Sequence, residues 1–514
     1  MTRPMDTLPL ELYQEVFAFA VGSPNEVQLH SDIAPLTIAG ILAPYRLAAV
    51  CTSWRAICLQ TAELWAYIQL GNCASEHVKD YMLLHLLRSA GHALDVWTAN
   101  FASFADGFDA YYALMQPIVE NAYRWRRVRL CFPKYASVKT VLAPCSSMPA
   151  LQSFVVLTGS VRSNQMVDEN DEPAGLNILR HAPNLTYLAR HVNALTISTS
   201  MDRLQYLSFS LRGMPTDTSM WQTLPMTPNL KELEIYFPSF NGIAIEANYE
   251  LHGMEIRLPH LRQLAVYGFP PEDDVAWVDR LYMPLLETLL VSIESMDPLT
   301  TVFAKVRKEV RHVIITSVEP DRNRGYFDQV DARSLDQLST LETLELRDLT
   351  PDMLKLYNQS FFDHLIGEYD KTRPQPAWAA GLEHLILRDC TVYLNSCRKL
   401  AQFVQMREDA ARDGGPPFDF QVHGCMFLAT RTESFAPVWS YFANSTFYGE
   451  SLNDYYPRED DEDDDEKYGA KWSVELLEKL IIREDHTDQP ECDAQNQGEA
   501  ALGTDLAPRA LSVS

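Results

Sequence analysis

Apolar residues recur in the pattern L-x-x-L-x-L along the middle of the 514-residue chain. Each run predicts a short β-strand, because alternate apolar side chains along a strand face the same core. A tenth, weaker run consists of Leu185 and Leu188, with Arg190 in place of the third apolar residue. The nine complete runs are Trp125/Val128/Leu130, Leu151/Phe154/Val156, Leu204/Leu207/Phe209, Leu230/Leu233/Ile235, Leu261/Leu264/Val266, Leu286/Leu289/Val291, Val310/Val313/Ile315, Leu341/Leu344/Leu346 and Leu382/Leu385/Leu387.

Proline lies two residues before the first apolar position of five runs, at Pro149, Pro183, Pro228, Pro259 and Pro284. Proline ends a helix and cannot donate a ladder hydrogen bond, so we expect these residues at the beginning of each strand. Each unit is therefore predicted to contain a helix, a proline stop and a short strand.

The spacing of the runs indicates a repeat architecture. Their first apolar positions are on average about 29 residues apart, at the long end of the range for leucine-rich repeats. One helix–strand unit cannot bury its apolar face alone, whereas stacked units share a continuous core. We therefore predict an α/β fold: an irregular leucine-rich-repeat solenoid over 93–450, with parallel strands and with helices on its convex side. Leu94 and Val96 are candidates for its first strand.

The first seventy residues have helical periodicity instead. Leu8 and Pro9 open one helical segment, and proline suits a first helical turn because its missing N–H has no role there. After a looser stretch at about 22–43, helical spacing returns and includes the phrase Val-Cys-x-x-Trp, formed by Val50, Cys51 and Trp54. We expect a helical linker at 71–92.

The two helical segments resemble an F-box. The family's pattern is Leu-Pro at a helix start, then an apolar pair, here Val16 and Phe17, then a Val-Cys-x-x-Trp helix. The later Leu64 and Trp65 are similar to the extended F-box of fungal F-box proteins. The resemblance covers residues 8–70 and makes 1–70 the predicted F-box module. In one departure from the pattern, the two halves lie far apart, so we expect an insertion at about 22–43. Added loop length costs closure entropy only slowly.

The resemblance implies a function for the chain. F-box proteins are substrate receptors of Skp–cullin–F-box ubiquitin ligases, in which the F-box docks on the Skp-type adaptor and, through it, on a cullin. A C-terminal repeat domain holds the protein substrate, and the receptor itself is not an enzyme. The match carries the apolar adaptor-docking face over to Leu8, Pro9, Leu12, Val16, Phe17, Leu47, Val50 and Trp54.

Three alternatives to this function stay open at the level of sequence. In the first alternative, the N-terminal helices only cap the end of the solenoid. In the second, the chain is a repeat scaffold that binds the Skp adaptor without a cullin. In the third, it is an enzyme whose site is formed by repeat loops without a linear motif.

A substrate-binding face can be predicted from the strand pattern. The residue after the third apolar position points away from the core, onto the concave face of the sheet. That column contains Tyr236, Tyr267, Arg347 and Arg388, and Tyr and Arg are enriched among the residues that dominate binding energy at interfaces. We predict these four as substrate contacts; the two arginines would also suit a phosphate. The alternative is a solvated sheet face without a ligand.

The charge of the chain excludes some partners and marks a boundary. With 69 acidic residues against 43 Lys and Arg, the net charge is −26, the opposite of what binding to nucleic acid or to an anionic membrane surface needs. Residues 459–466 are eight consecutive acids. We predict that 451–514 is an acidic, largely disordered tail, with a short helix at 472–482. Its acidic run is either a soluble spacer or a recruitment site for a basic partner.

Motifs for catalysis and for cofactors are absent from the sequence. It contains no G-x-G, no phosphate-binding G-x-x-x-x-G-K-[ST] loop and no G-x-S-x-G. The nine cysteines include no C-x-x-C pair, and we expect them to be reduced. We predict no metal and no cofactor. The N-terminus has no apolar segment of signal-peptide length, so the expected location is the cytoplasm, the nucleus or both.

Overall fold

A computed structural model describes a large part of the chain. The described residues are 8–21, 38–70, 76–99, 108–132, 135–145, 147–158, 177–190, 200–210, 223–237, 255–268, 280–292, 310–316, 335, 338, 340–349, 355–356, 359–360, 366, 381–429, 446–449 and 471–472. The acidic run 459–466 and most of the predicted insertion at 22–43 lie outside them.

Thirteen parallel strands form one long sheet, in which each strand pairs with the next of its strands along the chain. In chain order, β1 to β13 are Tyr67–Leu70, Leu94–Thr98, Trp125–Phe132, Ser153–Thr158, Tyr187–Arg190, Tyr206–Ser210, Glu232–Tyr236, Gln263–Tyr267, Thr288–Ser292, His312–Thr316, Thr343–Arg347, His384–Arg388 and Asp419–His423. The predicted α/β class is confirmed, and this strand order is compatible with a solenoid-like repeat.

The predicted apolar runs lie in the strands, but the sheet extends beyond them at both ends. All ten runs coincide with strands β3 to β12, and Leu94 and Val96 lie in β2. The first described strand is β1, which belongs to the segment with helical periodicity in the sequence. The last strand, β13, contains Phe420 and Val422. Both pack at the edge of the main core.

The strands pair in register, so their apolar residues form continuous rows through the core. Leu207 lies opposite Leu233, and Leu233 lies opposite Leu264. The same row continues through Leu289, Val313, Leu344 and Leu385. All of these side chains are fully buried. Burial of a leucine or valine side chain contributes about 1.5–3 kcal/mol, so each turn of the repeat is stabilised by its neighbours.

The five prolines lie in tight turns before the strands, and not at the strands' first residues as predicted. The carbonyl of Ala182, before Pro183, accepts a hydrogen bond from the backbone N–H of Leu185 over 3.2 Å. Around Pro228, the backbone N–H of Leu230 likewise donates a hydrogen bond to the carbonyl of Thr227 over 3.2 Å. This is the geometry of a β-turn, whose second position suits the fixed φ of proline. The turn thus fixes where each strand begins.

The described α-helices lie toward the two ends of the sheet. They are α1 (Leu10–Val21), α2 (Ile38–Ile41), α3 (Ala43–Val50), α4 (Thr52–Gln60), α5 (Glu76–Arg88), α6 (Phe108–Glu120), α7 (Tyr135–Leu142) and α8 (Leu394–Arg412). The described parts of the connections between β4 and β7 contain 3-10 helices at Ile178–His181 and Leu224–Met226. These are shorter than the helix predicted for each unit. None of the described helices is both long enough and apolar enough to span a membrane.

The N-terminal helices form a small core of their own at the β1 end of the sheet. Phe17 from α1 and Cys58 from α4 pack there with Leu64 and Trp65. The indole N–H of Trp65 donates a hydrogen bond to the carbonyl of Cys58 over 2.8 Å. Trp65 ends a 3-10 helix at Ala62–Trp65, and β1 follows it almost directly. The helices are therefore joined to the sheet by a short, buried connection.

A second, smaller sheet has its first strand between β12 and β13 and includes Trp472, the first residue of the helix predicted at 472–482. Its strands are Thr391–Tyr393, Met426–Ala429, Thr446–Gly449 and Lys471–Trp472. Trp472 pairs with Phe447 in an antiparallel strand and does not begin a helix. Residues 473–482, the rest of the predicted helix, lie outside the described residues.

Candidate functional site

The predicted adaptor-docking residues divide into three groups by exposure. Leu8, Pro9, Leu12, Val16 and Val50 are exposed. Leu47 and Trp54 are half-buried and pack against the small core of the N-terminal helices, so each offers only part of its side chain to a partner. Phe17 belongs to the third group, with a side chain that is 1% exposed.

Phe17 is therefore a core residue and not part of an exposed docking face. Its ring centroid lies 4.9 Å from that of Trp54, at an interplanar angle of 57°. Neighbouring residues of an α-helix point about 100° apart, and in α1 this separation places Phe17 against the small core and Val16 on the surface. Val16 faces the solvent, with 56% of its surface exposed. The apolar pair of the motif thus has one structural member and one surface member.

Phe19, which is not among the residues predicted from the motif, is the most exposed apolar residue of α1, at 90%. It continues a row formed by Leu12 and Val16, since spacings of four and three residues place side chains on one helix face. We call Leu12, Val16 and Phe19 the α1 stripe. The spacing of four and three residues between them is visible in the sequence. The motif considered only the adjacent pair Val16 and Phe17.

The Val-Cys-x-x-Trp phrase has a local structural cause. Cys51 lies between α3 and α4 in an extended conformation, and its sulfur accepts a hydrogen bond from the backbone N–H of Trp54 over 3.4 Å. This is an N-cap interaction, which fixes the first turn of α4. The guanidinium Nε of Arg55 also donates to the carbonyl of Ala48 in α3 over 3.0 Å. The turn leaves Val50, the last residue of α3, exposed.

The predicted substrate residues lie on the sheet face opposite the main core, in two separate groups. In each five-residue strand the first, third and fifth positions face this side. Tyr236 and Tyr267 occupy the fifth positions of β7 and β8, and Arg347 and Arg388 those of β11 and β12. The structure brings each pair together, with β9 and β10 between the pairs. The third-position side chains of β8, β9 and β10, which are Ala265, Leu290 and Ile314, form a buried apolar cluster on this face.

The two arginines converge on Glu345, at the third position of β11. Its Oε1 accepts hydrogen bonds from Arg347 Nε over 2.6 Å and from Arg388 Nε over 2.9 Å. The Oε2 of Glu345 is 3.7 Å from Nε2 of His312. Burial raises the pKa of Glu345, but the hydrogen bonds and charges of the two arginines outweigh burial, so the pKa is lower than its ordinary value. This group is an internally neutralised carboxylate with two fixed guanidiniums.

The two tyrosines belong to a larger group around Glu234, at the third position of β7. The rings of Tyr236 and Tyr267 stack at 4.4 Å, with an interplanar angle of 13°. A second pair, Tyr187 and Tyr206, stacks at 3.9 Å on β5 and β6. Tyr236 donates a hydrogen bond to Glu234 Oε2 over 3.3 Å. Tyr206 and Ser208 are also hydrogen-bonded to this carboxylate, but burial dominates and raises the pKa of Glu234.

The strand pattern placed the tyrosines, the arginines and both glutamates on one face, but only the tyrosines and arginines were predicted as contacts. Glu234 and Glu345 lie two residues before Tyr236 and Arg347 on the same sheet face. Within one strand, each is simply an acidic residue between two core-facing apolar residues. Their importance depends on which residues the neighbouring strands place beside them, and the sequence pattern of one unit does not contain that information.

The described residues contain no candidate metal site. Within them, no group of three or more His, Cys, Asp or Glu side chains is placed to hold a metal ion. What they offer is an exposed apolar helix face at one end and a polar, aromatic sheet face along the body, both suited to contacts with other proteins. In comparisons with known proteins, no family model and no curated protein matches the chain.

Proposed function

We propose that the protein is a substrate receptor of a Skp–cullin–F-box type ubiquitin ligase in the cytoplasm or nucleus. In this proposal the N-terminal helices bind the Skp-type adaptor and, through it, a cullin. The long sheet belongs to an irregular leucine-rich-repeat solenoid and binds a protein substrate. The chain supplies no catalytic group. It raises the effective concentration of the substrate near a ubiquitin-charged enzyme that other subunits provide.

The exposed α1 stripe is the observation that carries the proposal. Phe19 is 90% exposed, and Val16 on the preceding turn is 56% exposed. Leu8, Leu10, Leu12 and Val50 add further exposed apolar side chains on the same helices. An exposed row of apolar side chains of this kind is typical of a surface that binds another protein. An exposed aromatic residue such as Phe19 is a common anchor of such interfaces.

The arrangement of the N-terminal helices also supports the proposal. Their small core, built on Phe17 and Trp65, buries the residues that hold the helices together. The α1 stripe makes no contribution to that core. If the helices served only to cap the sheet, exposed apolar residues at this spacing would have no structural purpose.

The test is co-purification of the tagged full-length chain with the Skp-type adaptor. We expect the unmodified chain to retain the adaptor and the triple variant Leu12→Glu, Val16→Glu, Phe19→Glu to lose it. The matched control is Leu87→Glu, at an apolar residue that is 76% exposed on α5. It should retain the adaptor, because it lies outside the α1 stripe.

Two results would contradict the proposal. One is the absence of adaptor from the purified unmodified chain. The other is a triple variant that keeps both its fold, judged by circular dichroism, and its adaptor. Mass spectrometry of the same sample gives the second readout, since adaptor without any cullin would point to a scaffold instead of a ligase subunit.

A further inference from the structure

Glu234 and Glu345 occupy equivalent places on the sheet but have different surroundings. Both are at the third position of their strands, β7 and β11. The two fifth positions beside Glu345 hold Arg347 and Arg388, which lie opposite each other in the register. The two fifth positions beside Glu234 hold Tyr236 and Tyr267, which lie opposite each other in the same way. One carboxylate therefore has two guanidiniums beside it and the other has two phenol rings.

Glu234 is held in place without being neutralised. Its carboxylate is hydrogen-bonded to the hydroxyls of Tyr206, Ser208 and Tyr236, all of which are uncharged. From β5 to β8 the outward-facing strand positions contain no Lys or Arg. Within the described residues, no ion pair involves this carboxylate. The hydroxyls supply hydrogen bonds but no positive charge, so a cation brought by a partner would further stabilise the ionised form of Glu234.

Aromatic rings flank the carboxylate on both sides. Tyr206 stacks on Tyr187 of β5, and Tyr236 stacks on Tyr267 of β8, so one stacked pair lies on β5 and β6 and the other on β7 and β8. Both rings send their hydroxyls to Glu234. A planar cation that reaches the carboxylate would therefore lie near the rings of Tyr206 and Tyr236. Guanidinium groups stack on aromatic rings and form paired hydrogen bonds with carboxylates, which an ammonium group cannot do as well.

We propose that Glu234, with Tyr206 and Tyr236, is a binding site for an arginine side chain of a protein partner. The partner's guanidinium would supply to Glu234 the charge that Arg347 and Arg388 supply to Glu345, so the fold already contains an example of a carboxylate on this face paired with guanidinium groups. That the partner is the substrate of a ubiquitin ligase rests on the proposed function; the arginine site itself does not.

The experiment measures the binding of two small probes to the full-length chain by saturation-transfer NMR. The probes are Nα-acetyl-arginine amide and Nα-acetyl-citrulline amide, which have nearly the same shape but differ in charge. We expect the arginine probe to bind at least tenfold more tightly than the citrulline probe. Glu234→Gln, which keeps the size and an acceptor oxygen, should weaken arginine binding at least tenfold.

Two further variants separate a specific site from general attraction to an acidic protein. Glu232→Gln removes the same charge from an exposed position of the same strand and should change binding less than twofold. Tyr236→Arg should abolish probe binding, because it places a guanidinium beside Glu234 as Arg347 is placed beside Glu345. Urea unfolding of each variant checks that it is folded.

Equal binding of the two probes would overturn the proposal, and so would equal weakening by Glu232→Gln and Glu234→Gln. The result is independent of the adaptor test. Glu234→Gln should still co-purify with the Skp-type adaptor, since it lies far along the sheet from α1. The α1 stripe variant, which should lose the adaptor, should bind the arginine probe as tightly as the unmodified chain does.

Discussion

Arg388 donates a hydrogen bond to Glu345 across 2.9 Å and 43 residues of sequence. The two residues join neighbouring strands on the sheet face opposite the main core. The side chain of Glu345 is 4% exposed, whereas that of Arg388 is 45% exposed. The arginine thus lies over a carboxylate that is out of contact with water, and removing it would leave Glu345 with less compensation for its burial.

We expect Arg388→Ala to lower the free energy of unfolding by about 1–2 kcal/mol at pH 7, since loss of a hydrogen bond to a buried charge is costly but Arg388 is partly screened by water. Urea unfolding followed by tryptophan fluorescence measures this change. Arg262→Ala is the matched control, because Arg262 pairs with Glu287 at 3.3 Å with both side chains more than half exposed. Its effect should stay within about 0.5 kcal/mol.

The effect of Arg388→Ala should depend on pH in a defined direction. Because the native pKa of Glu345 is lowered, its ionisation stabilises the fold above the pKa of the unfolded state. That contribution is lost as the pH falls through the native pKa. The difference between the unmodified chain and the variant should therefore shrink in acid, and a difference that grows on acidification would contradict the assignment.

Phe17 and Phe19 are two residues apart on α1 but should respond in opposite ways to substitution. Phe17→Ala opens a cavity in the small core and should destabilise the N-terminal helices by about 3–5 kcal/mol. Phe19→Ala removes an exposed ring and should change stability by less than about 0.5 kcal/mol. Phe19→Ala is nevertheless expected to weaken adaptor binding, because Phe19 is the most exposed residue of the α1 stripe.

Limited proteolysis of α1 together with adaptor co-purification distinguishes the two effects. Phe17→Ala should increase cleavage within α1, and any loss of adaptor would follow from unfolding. Phe19→Ala should leave the cleavage rate unchanged while it reduces the retained adaptor. Increased cleavage with Phe19→Ala, or none with Phe17→Ala, would contradict the positions of these side chains.

The strands were predictable from sequence because each depends on its own few residues. An apolar residue at alternate positions, as at Leu264 and Val266, defines a strand and its buried face without reference to neighbours. Arg190 marks the limit of this rule. It occupies a core-facing position opposite Val156 and Phe209, and its side chain is fully buried. One of its terminal nitrogens donates to the hydroxyl of Thr223 over 3.4 Å.

The candidate site was less predictable because it depends on neighbouring strands. Tyr236 and Arg347 occupy the same strand position, and the sequence rule selected both for the same reason. Their roles differ because Glu345 lies within hydrogen-bonding distance of two arginines, while Glu234 lies among hydroxyl groups. Similarly, the F-box-like motif did not show which of Val16 and Phe17 would be buried, since this depends on which side of α1 packs against Cys58, Leu64 and Trp65.

Gly268 ends β8 in a conformation that only glycine adopts without strain. Its φ is +82°, and a Cβ atom added there would lie 2.2 Å from the carbonyl oxygen of Phe237. Gly268→Ala should therefore destabilise the sheet by about 3 kcal/mol or more, through backbone strain and the clash together. Gly91 is the matched control, with a φ of +87° but no atom within 4 Å of the added Cβ.

The destabilisation caused by Gly91→Ala should be limited to the backbone conformational penalty of about 1–2 kcal/mol. Urea unfolding of both variants gives the comparison. Equal destabilisation by the two substitutions would mean that the contact between Gly268 and the Phe237 carbonyl contributes nothing. A larger effect at Gly91 would contradict the assigned turn geometry.

His85 is buried where the N-terminal helices meet the sheet, and its neutral form stabilises that junction. Its ring packs against Tyr45, Trp65 and Tyr81, and its Nδ1 donates to the carbonyl of Trp65 over 3.2 Å. Burial outweighs this hydrogen bond and lowers the pKa of His85 to about 4. Because the unfolded chain takes up the proton near pH 6.5, the contribution of His85 is complete above that pH.

The stability of the unmodified chain should therefore fall between pH 6.5 and 4 by roughly 3 kcal/mol more than that of His85→Phe, which cannot be protonated. His85→Phe loses the hydrogen bond to Trp65 and should be the less stable protein at pH 7, so the gap between the two should narrow or reverse in acid. Urea unfolding at pH 7, 5.5 and 4 measures the gap. NMR titration of the His85 ring should show a midpoint near 4. A gap that is constant with pH would mean that His85 is accessible to protons in the folded protein and that the junction between the helices and β1 is open to water.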